Sequence, residues 1–210
     1  MKNFVAIIIS LLPMNLLRVL LYNKVLKYNI SKNSSIGFLA IINSQDCEIL
    51  DSYISSFNYI KIKKICIKNS KIQSLNIIKN FYSFSVSQNT IIKNKNKFYG
   101  ETKLNSNSKL EINKNCQIGN ENFFDLSGSI KIKNNCTILS YCQFWTHGFT
   151  SDREIKIGNI DIGENVLLEN SVTIISNTKI TSNCIVKISS VVNKSLVEEN
   201  TYSSNKLIKK

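Results

Sequence analysis

The chain has 210 residues, 43% of them hydrophobic, and a formal net charge of +13; this is enough apolar material for a buried core and excludes a disordered chain. Only Arg18 and Arg153 accompany the lysines. No basic stripe is interleaved with aromatics and no recognition helix or zinc finger is spelled out, so nucleic acid is not an expected partner; a solvated lysine surface, or attraction to a phosphorylated cofactor, a nucleotide-sugar or an acidic membrane, fits the charge.

Residues 1–28 form a helical segment. Residues 4–12 are apolar, Pro13 interrupts them, and residues 14–26 read as helical. Lys2 before an apolar run also begins a secretory signal, but no small-x-small cleavage site follows, and the run is too short to span a bilayer. The expectation is a short helix on the end of the fold or on a membrane surface, leaving peripheral membrane contact through residues 1–28 open.

Over residues 29–109 a loose six-residue spacing runs through Ile30, Ile36, Ile42, Ile54, Ile60, Cys66, Ile72, Ile78 and Phe84, with Glu48 breaking it. A second register runs through Val86, Ile92, Phe98, Leu104 and Leu110. These residues read as divergent solenoid coils, with a non-repetitive β segment between about 45 and 105 as the alternative. Residues 110–196 carry the pattern sharply. The doublets Leu110/Ile112 and Ile130/Ile132 each open a run of hexads, and Ile155/Ile157 precede the most regular stretch. There Ile162, Leu168, Ile174, Ile180, Val186 and Val192 recur every six residues, each with a small or apolar residue two positions earlier. Asn165, Ser171, Asn177, Asn183 and Ser189 stand as turn formers three positions after an aliphatic. Six residues fit neither one helix face nor a plain alternating strand, but do fit short strands and corners repeated around a solenoid. Residues 197–210 form a tail.

The period fails at residues 125–128 and again across the loop 145–156. Breaks in a solenoid are excursions from its wall, where function concentrates. The second contains His147, the only histidine and the natural general base near neutral pH. The six cysteines form no CxxC, and one histidine cannot complete a Cys/His zinc set, so no metal is expected. Cys116, Cys136, Cys142 and Cys184 fall in the small-residue slot. The thiols therefore read as core residues in a reducing compartment, and a cytoplasmic location is expected.

The order of these motifs carries a resemblance: Asp125-x-Ser127-Gly128, two hexads, Thr146-His147-Gly148, a loop, Ile162-Gly163-x-Asn165-Val166, and terminal hexads closing on Ser190-Val191-Val192-x-Lys194-Ser195. It resembles the hexapeptide-repeat acyltransferases, and among them the O-acetyltransferases of sugars and surface polysaccharides. Leu12-Pro13-x-Asn15-x-x-Arg18 followed by Ile36-Gly37 is similar to the start of the polysaccharide-modifying members. The resemblance is strong over about 110–196 and weak over 29–109. It implies an all-β solenoid, a left-handed parallel β-helix of three strands per coil, with a short N-terminal helix. It implies a homotrimer with sites between subunits, acetyl-CoA as co-substrate, and a sugar or polysaccharide precursor as acceptor.

By that resemblance His147 is the general base, and Asp125 orients it or holds an acceptor hydroxyl, unless Asp125 is simply a turn residue. Trp145, Thr146 and Gly148 flank the base; Trp145 walls the acceptor or cofactor channel, or packs on a neighbouring subunit. Arg153, Lys206, Lys209 and Lys210 are candidates for coenzyme phosphates. Ser176, Asn177, Ile188 and Ser189 stand where the family's small residues approach the coenzyme. The family's Trp-Ile-Gly, Leu-Pro-Gly and Gly-Ala-Gly are replaced by Leu167-Leu168-Glu169, Ile175-Ser176-Asn177 and Lys187-Ile188-Ser189. Alternatives are N-acetylation of an amino sugar, serine O-acetylation (whose enzymes carry a longer helical domain), and a degenerate, non-catalytic solenoid.

Overall fold

The structure is a computed structural model and describes residues 2–204 and 206–207. Its corners explain the six-residue period. Asn165, Ser171, Asn177, Asn183 and Ser189 all adopt left-handed backbone, with φ between 55° and 59°. A left-handed residue turns the chain sharply, and short polar side chains tolerate that region best. Between corners run short, mostly two- or three-residue strands whose central or final residue points inward. The strands stack into sheets of eight, ten and eight strands, all in parallel register except the last, antiparallel strand of the ten, and wind about nine turns of a parallel β-solenoid.

Each wall buries one column of aliphatic or aromatic side chains. In the second sheet Ile36, Ile54, Ile72, Ile92, Ile118, Ile138, Leu168, Val186 and Tyr202 stand in register. In the third, Phe98, Phe124 and Phe144 stack with ring centroids 4.7 and 4.3 Å apart. Polar ladders tie the corners together. The Asn89, Asn115, Asn135, Asn165 and Asn183 side chains pass hydrogen bonds of 2.9–3.3 Å from coil to coil along one edge. On a buried edge the Oδ1 atoms of Asn58, Asn76, Asn96 and Asn122 each accept from the backbone N–H of the equivalent residue one coil on. The buried backbone N–H groups at these four positions are thus satisfied without water, while the side-chain Nδ2 of Asn122 is buried without a partner.

The regular rungs, Ile162 to Val192, are all buried where the hexads place them. The same holds for the small-residue slot, occupied by Cys116, Cys136, Cys142, Val166, Val172 and Cys184. All six cysteines are free thiols, and five are buried. Over the divergent coils, two positions of the expected register are corrected. In strand Lys64–Lys68 the inward pair is Ile65 and Ile67, which turns Cys66 outward. Leu104 lies not on a rung but in an excursion over residues 101–108. Apart from that excursion, the segment from 45 to 105 is built of solenoid coils and is not a separate β unit. Ile155 and Ile157, which precede the most regular stretch, stand outside the rungs: strand Ile155–Ile157 pairs antiparallel with His147–Phe149 as the return leg of a hairpin.

Two helices, rather than one, cap the first coil. Helix α1 (Lys2–Ser10) packs on strand Ile41–Asn43, and α2 (Asn15–Leu26) on strands Asn29–Ile30 and Ser35–Ile36. Between them Tyr22 donates its hydroxyl to the Ala40 carbonyl at 3.0 Å and accepts from the Ile42 amide at 3.2 Å. The buried Arg18 donates to the carbonyls of Ile36 and Leu12. The other end is closed more lightly. The tail folds on to the solenoid: Leu196 bridges Ile180, Thr201–Ser203 adds a parallel strand beside Ile185–Val186, and Lys206–Leu207 pairs back on it. No helix among the described residues is long and apolar enough to cross a membrane.

Candidate active site

The coil-to-coil offset locates the site. It is 18 residues in the regular coils, rising to 26 where residues 101–108 are thrown out, 20 across residues 125–128, and 30 across the hairpin. These three surpluses leave the solenoid at one corner, where the third sheet turns into the first; smaller ones occur in the earlier coils, where the offset is 19 from Asn29 to Glu48 and 20 from Asn76 to Asn96. The rung ending in Asp125 lies between the two large excursions.

Phe124 is buried in the phenylalanine stack, and Asp125 is the next residue, at the end of strand Phe123–Asp125. Its side chain is folded into the corner and is 5% exposed. One oxygen, Oδ1, accepts from the Ser127 amide at 3.1 Å and the Ser127 hydroxyl at 2.8 Å. The other, Oδ2, accepts from the backbone N–H groups of Thr146 (2.8 Å) and His147 (2.9 Å), the Thr146 hydroxyl (2.9 Å), and the His147 ring at Nδ1 (2.7 Å). Burial, the largest single influence, raises the Asp125 pKa. Donated hydrogen bonds from Ser127, His147 and Thr146 outweigh it together and hold the carboxyl below its ordinary value. A carboxylate accepts only, so Nδ1 of His147 carries the hydrogen toward Asp125, and in the neutral ring Nε2 is then the nitrogen with the lone pair. The His147 side chain is 30% exposed, on the first leg of the hairpin.

The hairpin leaves and re-enters the wall through closely fitted backbone. The Gly158 amide donates to the Thr146 carbonyl at 2.8 Å, and the Gly128 amide to the Thr146 hydroxyl at 2.7 Å. A Cβ on Gly128 would stand 2.2 Å from the Gly158 carbonyl oxygen, so only glycine lets these two corners close over each other. Gly148 is a different case: open space surrounds it.

The structure brings Asp125, Thr146 and His147 together, and adds Ser127, which sequence reasoning did not assign although it lies inside the break at 125–128. Trp145 stands beside them on the outer face of the wall. Its ring packs on Phe123 at 4.9 Å and its indole N–H donates to Gln143. Asn177 reaches the same corner one coil on, its amide against Gly158, with Ser176 preceding it. Arg153 lies at the exposed hairpin turn with φ 62°. Ile188 and Ser189 are not brought to His147: they form a corner between the second and third sheets, a different edge of the solenoid. There Glu169 accepts from the Ile188 amide at 2.9 Å and pairs with Lys187 at 2.9 Å. The Lys187 hydrogen bond, followed by the Ile188 amide, lowers the Glu169 pKa. Lys206 is exposed on the last strand, and Lys209 and Lys210 lie outside the described residues. Among the described residues no cluster of His, Cys, Asp or Glu could hold a metal ion.

A carboxylate fixing one imidazole nitrogen, with the other left open at a solvent-facing corner, is a device for taking a proton from a hydroxyl or amine. This chain is similar to three solved transferases of acyl groups. They are the polySia-specific acetyltransferase NeuO (14% identity, 87% of this chain and 84% of that chain, TM-score 0.44); the polysialic acid O-acetyltransferase OatWY (18%, 87% and 83%, 0.45); and a variant of AntD, an N-acyltransferase from Bacillus cereus, in complex with dTDP and coenzyme A (16%, 72% and 77%, 0.40). No protein-family model matches the chain, and no curated protein does.

Proposed function

We propose that the protein is an acyltransferase that moves an acetyl group from acetyl-CoA to a sugar hydroxyl, with His147 as general base, in the assembly of a surface polysaccharide. The observation that carries this reading is the 2.7 Å contact between Nδ1 of His147 and the buried Asp125 carboxylate, set in an excursion from a parallel β-solenoid. In the proposed step, Nε2 takes the hydroxyl proton as the oxygen attacks the thioester carbonyl carbon. The tetrahedral oxyanion is steadied by a backbone N–H, the C–S bond breaks, and the imidazolium returns its proton to the departing thiolate. The same geometry serves an amine acceptor. Asp125 acts as a positioning residue: it selects the tautomer and stabilises the imidazolium.

A trimer with sites between subunits belongs to the same proposal. Phe149 and Ile155 face each other across the hairpin at 72% and 48% exposure, apolar surface that a neighbouring subunit would cover. Such packing would also supply the second edge that one chain keeps away from His147. The competing reading, a non-catalytic solenoid, draws on one observation: Glu169 already occupies the Ile188 amide, closing a corner where the resembled family offers backbone to the coenzyme.

Calorimetry with acetyl-CoA separates the two readings, because a non-catalytic solenoid gives no binding heat. Thioester turnover on sugar acceptors then tests the base. His147→Ala is expected to lower turnover about 10²–10⁴-fold while leaving acetyl-CoA binding in place. Retention of most of the rate would remove His147 from the mechanism.

A further inference from the structure

The helical cap presents an apolar face that the solenoid does not use. Ala6, Ile9 and Ser10 of α1 and Arg18, Val19, Tyr22 and Leu26 of α2 are buried against the first coil. On the opposite side α1 exposes Phe4 (68%) and Ile8, and α2 exposes Leu16 (70%) and Leu20; Leu11 and Met14 of the connection add 51% and 61%. The i, i+4 spacing of Phe4 and Ile8 in α1 and of Leu16 and Leu20 in α2 puts each pair on one helix face, and Leu11 follows directly after α1. Lys24 continues the α2 stripe, and Lys27 caps the end of the helix, both exposed. The first carboxylate in the chain is Asp46; before it stand Lys2, Arg18, Lys24, Lys27 and Lys32, and all four lysines are exposed.

We infer that this cap is a docking face for an anionic lipid surface, with the apolar stripes at the headgroup boundary and the lysines on lipid phosphates and carboxylates. Charge decides against a second copy of the same face, because neither helix carries a carboxylate to meet the lysines of another copy. Exposed apolar stripes flanked by lysine heads are the composition of an interfacial helix, and helices of 9 and 12 residues lie on a bilayer rather than cross it. Docking through the first coil would hold the His147 coil about 24 Å further along the axis, five strand spacings away. This inference does not rest on the proposed chemistry.

The test is co-sedimentation of the full chain with vesicles of phosphatidylcholine containing 30% phosphatidylserine, against vesicles of phosphatidylcholine alone, with sedimentation velocity on the free protein. Expected are binding to the anionic vesicles only, weakened by added salt, and at least a tenfold loss in Leu16→Glu/Leu20→Glu at unchanged Tm. Lys24→Ala and Lys27→Ala, which leave the apolar face intact, should each weaken binding about fivefold. Failure to bind the anionic vesicles overturns the inference, as does binding that the two lysine variants leave unchanged. Self-association abolished by Leu16→Glu/Leu20→Glu without vesicle binding assigns the face to a second copy and equally overturns it.

Discussion

At the scale of single residues, Asp125 governs the site. Its carboxylate takes hydrogen bonds from Ser127, Thr146 and His147 at once, so the geometry of six donor groups on three residues rests on one side chain. Asp125→Ala leaves buried donors unpaired, each costing about 1–3 kcal/mol, and should lower both Tm and turnover. The acid limb of stability carries a subtler signature. Because the folded-state value is depressed, the carboxylate contributes stability fully above the ordinary carboxylate range, near pH 4, and loses it as pH falls through the depressed value. Urea midpoints measured from pH 5 down to pH 2 should therefore fall less steeply in Asp125→Asn than in the wild type; equal slopes would contradict the assigned pKa direction.

At the scale of the element, corners matter more than strands. Most left-handed positions hold Asn, Ser or another polar residue, but Leu75 adopts φ 65° with its side chain 48% exposed. A bulky residue there costs about 1–2 kcal/mol that asparagine largely avoids. Leu75→Asn is expected to raise Tm by a few degrees in differential scanning calorimetry, whereas Asn135→Leu, which also cuts the corner amide ladder, should lower it. This corner chemistry is what made the fold readable. From Ile162 to Val192 every hexad has one inward aliphatic and a tolerant corner, so period and structure coincide. In the divergent coils they separate: strand Lys64–Lys68 has two inward isoleucines, and in so isoleucine-rich a chain a register shifted to Cys66 reads equally well. Leu104 was misplaced because an eight-residue excursion keeps a six-residue count by chance. The doublet Ile155/Ile157 copies the true rungs Leu110/Ile112 and Ile130/Ile132 in composition, and only pairing with His147–Phe149 tells them apart. His147 was legible as a lone histidine in a break. Its bond to Asp125, one coil below, is a contact that sequence order does not contain, and Ser127 went unassigned because a serine in a turn already has a local explanation.

For the whole molecule, wall and chemistry separate cleanly. Removing residues 147–157, so that Thr146 meets Gly158, cuts the 30-residue offset to the 19 that joins the first coil to the second. The shortened chain should keep the far-ultraviolet circular dichroism of the solenoid and lose all transfer activity; loss of the β signal would show that the hairpin supports the wall. The two ends of the solenoid also differ in kind. Two helices hold the first coil through Tyr22 and Arg18, while the last is closed by a few residues of paired tail. Each coil touches only its neighbours, so disorder must enter at an end and travel inward rung by rung. The weakly closed end lies nearer the coil of His147, with only the coils built on Ile162 and Ile180 between them and the tail. The tail is therefore a fuse for the site. Amide exchange should be fastest around Ile185, slow progressively back toward Gln143 and be slowest from Ile42 to Ile78, and cutting the chain after Lys194 should shorten the half-life of the site well before it dissolves the first coils.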